Sequence, residues 1–187
     1  MATLPGTPKT WTGGAVLTAS DLNAELRDSL SFLADKPRCK VLMGATGGSG
    51  AGNQNLTSGS TAYLVFKEES YDTDSIHDNS TNSTRLTMVR AGLWRITGSA
   101  EFLGNVSTDG TRVLSIRLNG STVLAAPSQR AVTFGTGPST IVQASVDFYT
   151  STTTDYVELG ALQDSGSSIA VQRDDARTWF SAHWVGE

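Results

Sequence analysis

Between Arg85 and Phe102 the chain reads RLTMVRAGLWRITGSAEF, with apolar and polar side chains alternating around a single glycine. Trp94, Ile96, Ala100 and Phe102 fall on one side with Gly98, while Arg95, Thr97, Ser99 and Glu101 fall on the other. A period of two is the mark of a strand with one buried face, and a helix cannot satisfy it. Leu86 and Met88 alternate with Thr87 and Val89 in the same way, and Ala91-Gly92 stands between the two segments. Glycine makes a turn easy there, so the pattern predicts a hairpin over 85–102 with a core-facing side.

The alternation recurs downstream. Over 112–118, Leu114, Ile116 and Leu118 oppose Val113, Ser115 and Arg117, and Asn119-Gly120 supplies a type I′ turn into a strand over 121–124. Val142, Ala144, Val146 and Phe148 oppose Ile141, Gln143, Ser145 and Asp147 over 140–148. Further short strands are expected at 39–43, 61–68, 156–162, 168–172 and 178–185, separated by Asp-Ser-Gly and Arg-Asp-Asp turns. About nine or ten short strands predict an antiparallel all-β sandwich.

The front of the chain follows another pattern. Residues 1–17 hold two prolines, three glycines and Trp11, with no periodicity that would let the segment fold alone. Trp11 either packs back on its own domain or inserts into a partner. Thr18-x-x-Asp21 resembles a capping box with Asp in the usual Glu place, and good helix formers run on to Pro37. Leu22, Leu26, Leu30 and Leu33 are spaced four, four and three. At 100° per residue they lie within about 80° of arc. A helix this short is marginal alone, and burying four leucines at about 1.5–3 kcal/mol each would hold it against a surface. That surface is this chain's own sheet, two further copies of the helix, or a larger assembly; its place outside the strand region favours an intermolecular role.

Charge and composition remove whole classes of function. The 187 residues suit one domain with an appendage, residues 38–187 and 1–37 respectively. A net charge of −4 without a Lys/Arg cluster argues against nucleic acid, which needs a basic stripe. With Cys39 the sole cysteine, no intrachain disulfide is possible, and packing or oligomerisation must supply stability. The sequence has neither a basic start with an apolar leader nor a run of membrane-spanning length, so synthesis in a cytosol and no membrane insertion are expected.

Candidate chemistry is sparse. Gly48, Gly50 and Gly52 imitate a dinucleotide loop, but Asn53, Gln54 and Asn55 follow where a helix is required, so 44–60 is expected to be a flexible loop and no cofactor is expected. Cys39 reads as a packing residue. Asp72, Asp74, His77 and Asp78 gather in one loop, but an EF-hand would need a glycine where His77 stands and an oxygen ligand where Ile76 stands. A solvated acidic loop pinned by Arg85 is the expectation, without a metal. His77 and His183 are the only histidines, and neither belongs to a Gly-x-Ser-x-Gly elbow, a His-Glu-x-x-His helix or a carboxylate pair, so no enzyme is expected.

Two resemblances sharpen the reading. Gly92-x-Trp94-x-Ile96, Asp155-x-Val157-x-Leu159 and Phe180-Ser181-Ala182 resemble, in order and spacing, three strands of the C1q/TNF-like jelly roll. Ile96, Gly98 and Ala182 depart from the aromatics and glycine of that pattern. The resemblance implies a homotrimer, with Trp94, Phe102, Trp179, Phe180 and Trp184 as trimer-axis or core aromatics. Residues 10–33, TWTGGAVLTASDLNAELRDSLSFL, resemble the segment that opens many small virion proteins of tailed bacteriophages, on Trp11, Gly14, Thr18, Ala19, Leu22, Asn23, Arg27, Asp28, Leu30, Phe32 and Leu33. This second resemblance implies a virion-surface knob attached to phage capsid or tail proteins through residues 1–37, with Trp11, Leu22, Leu26, Leu30, Phe32 and Leu33 carrying attachment or trimerisation. The expected role is capsid decoration or a short head fibre; the alternative is a minor tail protein that binds a host receptor or glycan.

Overall fold

The computed structural model describes residues 10, 12–44, 52–104, 109–131 and 139–187. The alternation around Gly98 forms an eleven-residue strand, β6 (Gly92–Phe102), and everything else is arranged beside or opposite it. β10 (Thr140–Thr150) runs antiparallel along one edge of β6, with Gly98 level with Ala144. On the other edge lies β13 (Trp179–Gly186), then β1 (Arg38–Leu42) and β4 (Glu68–Asp72); β12 (Ile169–Val171) and β2 (Gln54–Leu56) extend that side near Phe102. These seven strands make the first sheet.

The second sheet is built on β11 (Tyr156–Gln163), which pairs with β7 (Gly110–Leu118), β3 (Ala62–Tyr63) and β5 (Arg85–Thr87). β7 in turn pairs with β8 (Thr122–Ala125) and β9 (Ser128–Ala131). Asn119 and Gly120 both take positive φ, 50° and 72°, as the type I′ turn between β7 and β8 requires. The two sheets stack as an antiparallel, jelly-roll-like all-β sandwich preceded by a helix.

The core is the meeting of two alternating faces. Trp94, Ile96 and Phe102 of β6, Phe180, Ala182 and Trp184 of β13 and Val41 of β1 face Val157, Leu159 and Ala161 of β11 and Leu114 and Ile116 of β7, all buried. At Gly98 the core leaves no room for a side chain: a Cβ there would lie 2.8 Å from Leu159 Cδ1 of the facing sheet and 3.2 Å from Phe180 Cδ2 of the neighbouring strand. Glycine occupies the position because no side chain fits.

Three expectations need correction. The segment 85–102 is not a hairpin, since β5 joins β11 in one sheet while β6 joins β10 and β13 in the other. The chain crosses the sandwich at Arg90–Gly92, where Gly92 has φ +122° and a Cβ on it would collide with the Gly186 carbonyl. The stretch 61–68 likewise divides, β3 going to the second sheet and β4 to the first, with Leu64 and Phe66 buried in the crossing. Alternation persists through a crossing because both sheets face one core, so the pattern alone does not reveal it. The expected loop over 44–60 contains β2, held by β12; residues 45–51 lie outside the described residues.

Candidate functional site: the N-terminal helix and the outer face of the first sheet

The helix begins where the capping box places it. Thr18 Oγ1 accepts from the Asp21 amide at 3.1 Å, and Asp21 Oδ2 accepts from the Thr18 amide at 3.3 Å, satisfying two donors that the helix start leaves open. α1 (Ala19–Leu22) passes into a π-helical turn, Asn23–Arg27, and then into α2 (Asp28–Ala34). The π turn is closed by the Asp28 amide donating to the Asn23 carbonyl, the i→i+5 pattern.

Two faces of this helix have opposite fates. Phe32 is 4% exposed and stands edge-on to Trp184 with centroids 5.5 Å apart, while the Arg90 guanidinium lies 5.2 Å from the Phe32 ring centroid. Lys36 continues the clamp: its Nζ donates to the Val185 carbonyl at 3.0 Å and lies over the Trp184 ring. Trp184 is itself held by its amide to the Pro37 carbonyl and its indole N–H to the Ala91 carbonyl, both at 2.9 Å. Phe32 therefore belongs to the sandwich core, a correction to its expected place among the attachment residues.

The leucines point elsewhere. Leu22, Leu26 and Leu30 are 47%, 53% and 56% exposed, and Val16 and Leu17 ahead of them are also exposed. Thr12, Ala15 and Leu17 run beside Leu22, Glu25 and Leu26, and together they line an open groove of about 480 Å³. Trp11 and the side chain of Leu33 lie outside the described residues. Three of the six expected attachment residues thus share one uncovered apolar stripe.

Of the five aromatics singled out in the strands, Trp94, Phe102, Phe180 and Trp184 are buried in the sandwich core. Trp179 differs. It lies on the outer face of the first sheet, half-buried, with Lys40 Nζ 5.1 Å from its ring centroid. Along that face the strands align Asp147, Arg95, His183 and Arg38 in one row. Arg95 clasps Asp147 with two hydrogen bonds of 2.9 and 3.1 Å, and Tyr71 Oη lies 2.8 Å from His183 Nε2. Ile141, Tyr149 and Val185 are exposed apolar residues on the rim of the same face.

Burial first, then the cationic Arg38 and Arg95, hold His183 below its ordinary value of 6.5. The sign follows from linkage. A depressed folded value means that the unfolded chain binds the proton more readily, so the contribution of His183 is complete above about pH 6.5 and is lost as pH falls toward the folded value. Denaturant midpoints from pH 8 to 5 are expected to fall more steeply for the wild type than for His183→Gln; parallel profiles would mean that His183 titrates as it does in solvent.

The acidic loop is only partly the solvated segment expected: Asp78 is exposed and accepts from the amides of Ser80 and Thr81, whereas Asp72, Asp74 and His77 are drawn inward. Asp72 spends its carboxylate on the amides of Asp74, Ile76 and His77, at 3.2, 3.0 and 2.8 Å. Asp74 and His77 are buried, and His77 Nδ1 lies 3.0 Å from Glu69 Oε1. Arg85 holds the end of this loop, its Nη1 donating to Asn82 Oδ1 at 3.4 Å, and also pairs with the buried Glu158 at 3.4 Å and stacks on Tyr156. Among the described residues, no three His, Cys, Asp or Glu side chains converge as a metal-holding group. Cys39 is fully buried, and burial first, then Asp72 and Glu69, push its thiol pKa far up. It is inert as a nucleophile.

Sequence reasoning also missed a buried ion pair. Glu101, on the polar side of β6, is 1% exposed, and Arg177 closes over it with Nη1 2.7 Å from Oε1. The Glu101 amide donates to Thr178 Oγ1 at 3.1 Å, so the turn before β13 seals that end of the outer face. No signal in the alternation of β6 marks this, because the covering residues lie 76 positions away in the chain.

No protein-family model matches this chain, and no curated protein matches it significantly. The class that the geometry defines is a jelly-roll-like sandwich carrying a clamped helix with an uncovered leucine stripe.

Proposed function

We propose that the protein is a non-enzymatic structural protein of a tailed-bacteriophage virion, a homotrimeric surface knob anchored by its N-terminal arm and helix. Capsid decoration or a short head fibre is the role in this reading. The observation that carries it is the leucine stripe: Leu22, Leu26 and Leu30 are about half exposed on a helix whose Phe32 is buried against Trp184 of the knob. A soluble chain that leaves such a stripe open places it against other protein, since covering it removes apolar area from water at about 25 cal/mol per Å². Support for the rest comes from the resemblance of residues 10–33 to phage virion proteins and of the strands to the trimeric C1q/TNF-like jelly roll. The apolar rim formed by Ile141, Tyr149 and Val185 suits contact between knobs.

Antibody-gold or tag-directed electron microscopy of particles from a host lysate tests the proposal. Label spread over heads is the expected result. Label confined to tails would replace decoration by a tail role, with a host receptor or glycan as the partner to seek. Unlabelled particles would remove the virion reading altogether.

A further inference from the structure

We infer that the partner covering the leucine stripe is the same helix of two further copies, packed as a parallel bundle on the threefold axis. The number three rests on the homotrimer proposed above; the parallel orientation rests on the helix itself.

The first argument is alignment. In a regular α-helix each four-residue step overshoots a full turn by about 40°, so Leu22, Leu26 and Leu30 would drift around the surface. The π turn over Asn23–Arg27 lies within the first of those steps. A wider turn holds more residues, so the step from Leu22 to Leu26 overshoots less and the three leucines come closer to one line. A straight seam against an identical neighbour needs that line.

Charge supplies the second argument. Glu25 and Arg27 flank Leu26 on its two sides within the π turn, one flank acidic and the other basic. In a parallel bundle the acidic flank of one helix faces the basic flank of the next; in an antiparallel pair, like flanks would meet. Arg27 bonds Asp28 at 2.9 Å, but both side chains are about half exposed or more, so this pair is weak and can yield to Glu25 of a neighbour.

The third is the clamp. Phe32 on Trp184 and Lys36 on Val185 plant the helix at one end of the first sheet, where Leu93 pairs with Tyr149 and lies level with Gly186. Tyr149 and Val185 are exposed apolar residues at that same end. The open groove beside Leu22 and Leu26 then receives side chains of the neighbouring helix. With the stripe covered in this way, the arm around Val16, 82% exposed, remains to meet the virion.

A disulfide reads the arrangement directly. Leu22→Cys in the full chain adds one reactive thiol, because Cys39 is fully buried. Leu22 lies near the start of the helix, so identical positions meet only when the helices run parallel. Mild oxidation is expected to link two of every three chains of Leu22→Cys, in a particle three times the 19.7 kDa chain mass by light scattering. Ser31→Cys, on the opposite side of the helix, stays unlinked. As a second variant, Glu25→Arg is expected to raise the trimer dissociation constant at least tenfold, and adding Arg27→Glu to restore it.

A trimer in which Leu22→Cys stays unlinked and the charge variants change nothing would overturn the bundle and leave the homotrimer standing on its knobs. A wild-type mass of one chain would overturn both.

Discussion

Trp94→Ala is expected to cost about 3–5 kcal/mol of folding free energy, the range for truncating a large aromatic in a closed core. Trp94 is fully buried on β6, between β10 and β13 and level with Phe148 and Trp184. Its indole N–H donates to the Arg90 carbonyl at 2.9 Å, at the point where the chain crosses between sheets. Alanine would leave a void and remove that hydrogen bond. Against a total of about 5–15 kcal/mol for a domain, that is a large share. At about 2–4 °C per kcal/mol, a fall in Tm of roughly 6–20 °C follows. Thermal melts followed by circular dichroism decide it; a loss under about 1 kcal/mol would mean that the crossing does not depend on Trp94.

The paired change Leu26→Asp with Leu30→Asp is expected to do the opposite: leave the knob folded and abolish attachment, because the helix bundle that presents the arm to the virion comes apart. Both leucines are more than half exposed, so little burial within the chain is lost. At an interface the loss is about 1.5–3 kcal/mol per leucine, before the cost of desolvating two carboxylates. Each 1.4 kcal/mol is tenfold in affinity, so a weakening of at least about 100-fold follows. Co-sedimentation with particles lacking the protein measures attachment, and near-ultraviolet circular dichroism reports the core. Loss of both signals together would make the helix a part of the core and end the division into knob and anchor.

The candidate site was half legible before folding. Spacing picked out Leu22, Leu26 and Leu30, and the capping box marked where the helix starts, because both signals act within a few residues. Phe32 was misassigned for a reason that spacing cannot reach. It sits two residues from Leu30 and so on a different face, and what lies against that face is Trp184, 152 positions away in sequence. The burial of Asp74, His77 and Glu101 was hidden in the same way, each polar residue reading as solvated until a distant strand or turn closes over it.

What the sequence determined by itself is the local grammar: alternation that makes strands, Asn119-Gly120 that makes a turn, Thr18 with Asp21 that starts a helix, and the absence of a basic stripe. These follow from backbone sterics, side-chain periodicity and nearby hydrogen bonds. Only the tertiary structure decided which strands share a sheet, that Arg90–Gly92 crosses the sandwich, that Leu159 and Phe180 leave no room for a side chain at Gly98, and that Phe32 is covered while Leu26 is not. Those are outcomes of long-range packing, in which one alternating face serves either sheet equally well until the whole core chooses.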